Sequence, residues 1–193
     1  MPFDLLTPHD PTLPALQVGP RTATRAELAL AGRRAATFLR KRGLARGDAF
    51  AVWLPDGEAW LQLLFGAAQL GVLMVPISTR LRQAEAQHLV ATARAKVLFV
   101  PSAFLGFDYA GAARGIASAL DHLEQVIELE PETGFQWADH EPLAEWIGQP
   151  ADPLCTFSTS GTTGKPKLAV HAAAGIATHA RHAARATELR AGD

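Results

Sequence analysis

Ala49-Phe50-Ala51-Val52-Trp53-Leu54-Pro55 is a short apolar run closed by a proline. Such a run reads as a buried strand. After Asp56-Gly57, residues 58–70 place Glu58, Gln62 and Gln69 on one narrow polar stripe, with nearly everything else apolar. That pattern predicts a largely buried helix. Gly71 ends it, and Val72–Ile77 reads as a second strand. The alternation continues outward. Residues 82–94 form a helix with Ala86, Leu89, Val90 and Ala93 on its core side. Lys96–Val100 is a third strand ended by Pro101, a weaker helix follows near 110–120, and Glu124–Leu129 is a further strand. Strands alternating with helices predict an α/β fold, a mainly parallel sheet flanked by helices with right-handed crossovers.

Upstream, Leu28, Ala31, Ala35 and Phe38 recur at helical spacing from Thr24. Thr24 with Glu27 fits a capping box, and Gly43 fits the stop. Pro2, Pro8, Pro11, Pro14 and Pro20 break any regular element, so residues 1–20 read as an irregular arm. Residues 130–153 are rich in Pro, Gly and acidic residues and read as a surface excursion, with a short helix around 141–147. Residues 172–189 read as a helix with Ile176, Ala180, Ala183 and Ala184 inward.

The chain has 193 residues, 48% of them hydrophobic, enough for one sizeable core. A net charge of -1 offers no broad basic field, so neither nucleic acid nor anionic lipid is an expected partner. The single cysteine, Cys155, lies in an apolar run and reads as a buried strand thiol suited to a reducing cytosol. No secretory signal is visible. The most apolar segment, Ala59–Ile77, is interrupted by Gln62, Gln69 and Pro76. A membrane span needs roughly 20 predominantly apolar residues. A cytoplasmic protein without a membrane span is expected.

The chemistry concentrates in residues 154–171, where the strand Leu154-Cys155-Thr156-Phe157 enters a loop of hydroxyls, glycines and lysines. Gly161 and Gly164 permit backbone conformations that let successive N–H groups converge on an anion. Thr159, Ser160, Thr162 and Thr163 supply hydroxyl donors, and Lys165 and Lys167 supply positive charge. The loop is not a Walker A sequence. The residue five before Gly164 is Thr159 rather than glycine, and Pro166 follows Lys165.

Thr159-Ser160-Gly161-Thr162-Thr163-Gly164-Lys165-Pro166-Lys167 resembles, without a gap, the signature loop of the adenylate-forming (AMP-binding) superfamily, here of acyl-CoA synthetase type. Thr24-Arg25-Ala26-Glu27-Leu28 is similar to an early helix start of that family, as are Gly43–Asp48 and the Gly71–Arg82 region. Arg25, Ser78, Ser158 and Leu168 depart from common family residues. The resemblance implies that residues 1–193 are the first part of a large amino-terminal domain. It implies an enzyme that couples a carboxylic acid to ATP, releases pyrophosphate and passes the acyl group to coenzyme A. ATP, Mg²⁺ carried by ATP, and coenzyme A are the implied cofactors and co-substrates. Thr159, Ser160, Gly161, Thr162, Thr163, Gly164, Lys165 and Lys167 are the implied phosphate-binding residues, with Lys167 outranking Lys165. No catalytic or metal-ligating residue is expected within the chain, because the family's adenine pocket, acyl pocket and catalytic lysine lie downstream. The 193 residues alone are therefore expected not to form an acyl-adenylate, and to self-associate through uncovered apolar surface. Two alternatives are a non-catalytic fragment that at most binds polyphosphate, and part of a peptide-synthetase adenylation module.

Other polar residues have plainer readings. His179 and His182 fall on the polar side of the last helix, and His171 is a strand-end residue near the loop. Trp53 and Trp60 read as core, Asp48 as a turn residue, and the Arg33/Arg34 and Arg40–Arg42 clusters as solvated helix faces.

Overall fold

The computed structural model describes residues 10–130, 136–159 and 166–189. Ala49–Val52 (β3), Leu73–Pro76 (β4), Val97–Pro101 (β5), Gln125–Leu129 (β6), Pro153–Thr159 (β7) and Lys167–Ala172 (β8) form one sheet in the order β6-β5-β3-β4-β7-β8. All neighbours are parallel except β7 and β8, which are antiparallel. Side chains of β3 alternate between two cores, as strand geometry requires. Phe50 and Val52 join the cluster under the helices Arg25–Lys41 (α1) and Glu58–Leu70 (α2). Ala51 and Trp53 join the cluster under Gln83–Ala93 (α3) and Tyr109–Ala119 (α4).

The local signals hold at α1 and α2. The Thr24 hydroxyl accepts from the Glu27 N–H, and the Glu27 carboxylate accepts from the Thr24 N–H at 2.8 Å, closing the capping box. Gly71 adopts φ +77° and caps α2 from the left-handed region. The polar stripe of α2 departs from the outward-facing arrangement typical of such stripes. Glu58, Gln62 and Gln69 are all buried. Glu58 pairs with Arg21 at 2.8 Å, and the Gln69 amide donates to the carbonyls of Leu143 and Glu145, each at 2.9 Å.

Two regions differ from the sequence reading. The part of the arm that is described contains a strand, Pro14–Val18 (β1), paired antiparallel with Arg21–Thr24 (β2). Its prolines fall where a hairpin tolerates them: Pro14 opens an edge strand and Pro20 sits in the turn beside Gly19 (φ +56°). The arm is also tied to α1, with the N–H groups of Arg25 and Ala26 donating to the carbonyls of Leu13 and Pro11.

Residues 136–152 are no surface excursion, and no helix forms at 141–147. They make a strap across α1 and α2. Trp137 is buried against Phe38 and Phe99. Leu143 exchanges hydrogen bonds with Arg33, its N–H donating to the Arg33 carbonyl and its carbonyl accepting from the Arg33 guanidinium. The N–H groups of Ile147 and Gly148 both donate to the Gln69 carbonyl. Arg33 is thus an anchor as well as an exposed side chain. The final helix, Ala173–Ala186 (α5), buries Ala173 and Ala177 and half-buries Ile176, Ala180 and Ala184 on the face expected, whereas Ala183 is exposed.

Two ion pairs lock the strap and the β3 entrance. Arg46 grips Asp152 through two contacts of 2.8 and 2.7 Å, and Lys96 meets Asp48 at 2.8 Å. The Arg46 guanidinium holds the Asp152 carboxyl below its ordinary range. Burial pushes the Asp48 carboxyl up, but the Lys96 ammonium and the Ala45 N–H outweigh it, and the net displacement is downward. A carboxyl depressed in the folded state contributes stability that is fully present above its unfolded value, about 4, and is lost as pH falls through the folded one. Urea titrations should therefore give a flat stability from pH 7 to about 5 and a decline below about 4. Asp152→Asn should be less stable at neutral pH and show a shallower acid decline; an unchanged decline would contradict this account.

Candidate phosphate-binding loop

β7 runs parallel to β4, with Met74 opposite Cys155, so the loop after Thr159 leaves from the carboxyl edge of the parallel sheet. Ligands of open α/β sheets gather outside that edge. β8 returns antiparallel with Cys155 opposite His171, Phe157 opposite Ala169, and Thr159 opposite Lys167. Facing residues of such a ladder share a sheet face. Thr159 and Lys167 therefore stand together at the base of the loop, and both are exposed. Ser160, Gly161, Thr162, Thr163, Gly164 and Lys165 lie outside the described residues. Of the expected phosphate-binding residues, the structure places Thr159 and Lys167.

The opposite face of β8 carries Leu168, half-buried against the cluster of α3 and α4. Leu168 was a departure from the family pattern; here its side chain anchors the strand just after the loop. One residue earlier but one, the Pro166 carbonyl lies 3.1 Å from Nε2 of His88 on α3. Sequence reading missed His88. A lone histidine on a helix facing the core carries no pattern that links it to a loop 78 residues away.

His171 is not near the loop. It stands at the other end of β8, packed edge-on against the Phe157 ring at 4.9 Å between centroids. His179 and His182 are exposed on α5. Among the described residues, no three His, Cys, Asp or Glu side chains come together as a metal site would need. Cys155 is buried and its thiol is pushed up by that burial, which disfavours the reactive thiolate. A cavity of about 740 Å³, lined by Val18, Arg21, Pro55, Asp56 and Phe104, opens beyond β3 and β5 under the β1–β2 turn. It sits at the same carboxyl edge but strands away from the loop.

The described helices include none long and apolar enough to cross a membrane. The family model described as AMP-binding enzyme matches residues 7–193. The chain belongs to the AMP-binding enzyme family. The fatty acid–[acyl-carrier-protein] ligase ScoC of Streptomyces coeruleorubidus is 31% identical over 171 residues, covering 82% of this chain and 30% of that protein. The indoleacetate–CoA ligase of Aromatoleum aromaticum is 31% identical over 193 residues, covering 95% of this chain and 36% of its own length. ATP-bound MatB of Rhodopseudomonas palustris shares the fold with a TM-score of 0.81 at 22% identity, over 95% of this chain and 37% of that one. The chain thus spans about a third of the length of the relatives it matches.

Proposed function

We propose that this chain supplies the ATP phosphate-binding loop, Thr159–Lys167, and the first part of the amino-terminal domain of an ATP-dependent carboxylic acid–CoA ligase. The observation that carries the reading is the loop's hydroxyl, glycine and lysine sequence together with its seat, a ladder that stands Thr159 beside Lys167 at the carboxyl edge of the sheet. The residues fit a polyphosphate: a hydroxyl donor and an ammonium converge where the loop begins and ends. Mg²⁺ arrives with the nucleotide and neutralises phosphate charge when bound. The chain's own part is to hold the β- and γ-phosphates so that donors already face the oxygens on which charge builds as pyrophosphate leaves. Donors fixed in advance lower such a barrier because they need no reorganisation during the reaction. Positioning adds to this by holding the phosphates in line for attack by the carboxylate. The acid itself would be chosen by residues beyond these 193.

Calorimetric titration of the chain with MgATP and with tripolyphosphate tests the reading. Saturable binding is expected, and Lys167→Ala should weaken it by about 1.5 kcal/mol, roughly tenfold, as for one charge-assisted hydrogen bond. Lys165→Ala should cost less, because Lys167 is restrained by the ladder. Absence of binding would remove the reading, and a larger loss at Lys165 would reverse the ranking.

A further inference from the structure

We infer that His88 is a positioning residue for the phosphate loop, holding the Pro166 carbonyl so that the loop's exit keeps one orientation; this rests on the phosphate-binding reading above. Nε2 of His88 lies 3.1 Å from the Pro166 oxygen, and the ring is half-buried. A carbonyl can only accept, so Nε2 carries the proton and donates it. His88 sits on α3 between the fully buried Ala86 and Leu89, which fix that helix against the sheet. α3 in turn packs against β8.

Three restraints then meet within three residues. The ladder sets Lys167 opposite Thr159, Leu168 is half-buried in the α3–α4 cluster, and His88 holds Pro166. The first two fix the strand; the third, from His88, reaches Pro166 at the loop's exit. The described peptides are all trans, so fixing the Pro166 carbonyl toward α3 turns the Lys167 N–H to the opposite side. A carbonyl oxygen held by a donor is also kept from swinging toward an anion, which it would repel. His88 touches no phosphate in this arrangement. It acts through the backbone it holds.

The test uses the full chain with ¹³C and ¹⁵N labels and tripolyphosphate as the probe. In the unsubstituted chain the His88 imidazole should be the Nε2–H tautomer; an Nδ1–H tautomer overturns the inference without any variant. His88→Phe keeps a ring but removes the donor. It should move the Pro166 carbonyl resonance, speed Lys167 amide exchange, and weaken tripolyphosphate about three- to tenfold, the weight of one hydrogen bond. The melting temperature should change little. His88→Gln, whose amide N–H reaches about as far as Nε2–H, should restore most of the affinity. Affinity within twofold of the unsubstituted chain in His88→Phe, or equal losses in both variants, overturns the inference alone. If the unsubstituted chain does not bind tripolyphosphate, the phosphate-loop reading falls, and the positioning role falls with it.

Discussion

Trp137→Ala should lower the unfolding free energy by about 3–5 kcal/mol, the usual cost of deleting a buried tryptophan. The residue is 1% exposed, with its ring 4.5 Å from Phe38 and 6.4 Å from Phe99 between centroids. Phe38 belongs to α1 and Phe99 to β5, so this one indole wedges the strap between helix and sheet. Removing it leaves a void lined by aromatic rings that are already engaged. Phe38 also meets His140 edge-on and Arg42 through its ring face, and Phe50 packs against Phe99. These partners cannot collapse into the space without giving up contacts of their own. Urea denaturation measures the effect. Trp137→Phe is the companion variant: it keeps most of the ring contact, leaves a smaller cavity and should cost clearly less than Trp137→Ala. A tryptophan on a solvated excursion would change stability by less than about 0.5 kcal/mol. A loss that small for Trp137→Ala would show that the strap is not part of the core.

The second large effect is expected at Gly148. A Cβ added there would collide with the Ala68 carbonyl oxygen and lie 3.1 Å from the Gly71 nitrogen. The obstacle is helix backbone, not the movable tip of a side chain. Gly148 is also held from its own side, since its N–H donates to the Gln69 carbonyl at 2.8 Å. Gly71 is equally confined, with φ +77° and the space for a Cβ taken by Asp152 and Arg46. The strap can cross the end of α2 only through this pair of glycines. Gly148→Ala should cost roughly 3 kcal/mol, the upper part of the range for overpacking. Gly175→Ala is the control. It lies on α5 with nothing within 4 Å of an added Cβ, and should stabilise by about 0.5–1 kcal/mol through helix propensity. If Gly148→Ala proved as mild as Gly175→Ala, the close crossing would be wrong.

The alternation of β3, α2, β4, α3 and β5 was legible because each element carries its own period or terminator. Val52 and Trp53 show the strand, Glu27 the cap, Gly71 the stop. The strap was not legible in this way. Leu143, Trp146 and Ile147 stand at helical spacing and so suggested a short helix, while Trp137 belongs to no period, and the partners of all four lie on elements far away in sequence. Only tertiary contacts give them meaning. The β1–β2 hairpin was hidden by its prolines, which look like breakers until the turn places them. At the loop, the motif from Thr159 to Lys167 announced itself by composition. Its support did not: His88 is one histidine in an ordinary helix, and Leu168 looks merely unusual until the α3–α4 cluster is seen to receive it.

The strap also bears on when the β7–β8 ladder can form. Its bonds to Arg33 and Arg46 join residues 110 and 106 positions apart, against the short spans that build α1, α2 and the early strands. Contacts so distant along the chain must meet the entropy of closing long loops before they return any stability, and they form slowly. A ribosome adding about 5–20 residues per second leaves several seconds between the emergence of Arg33 and that of Leu143. The nascent chain can therefore pair β3, β4, β5 and β6 before Trp137 and Asp152 have emerged to join them. β7 follows, delivered by the strap to the waiting edge of β4, and β8 after it, so the end of the ladder where Thr159 meets Lys167 would be among the last parts of this region to form during synthesis.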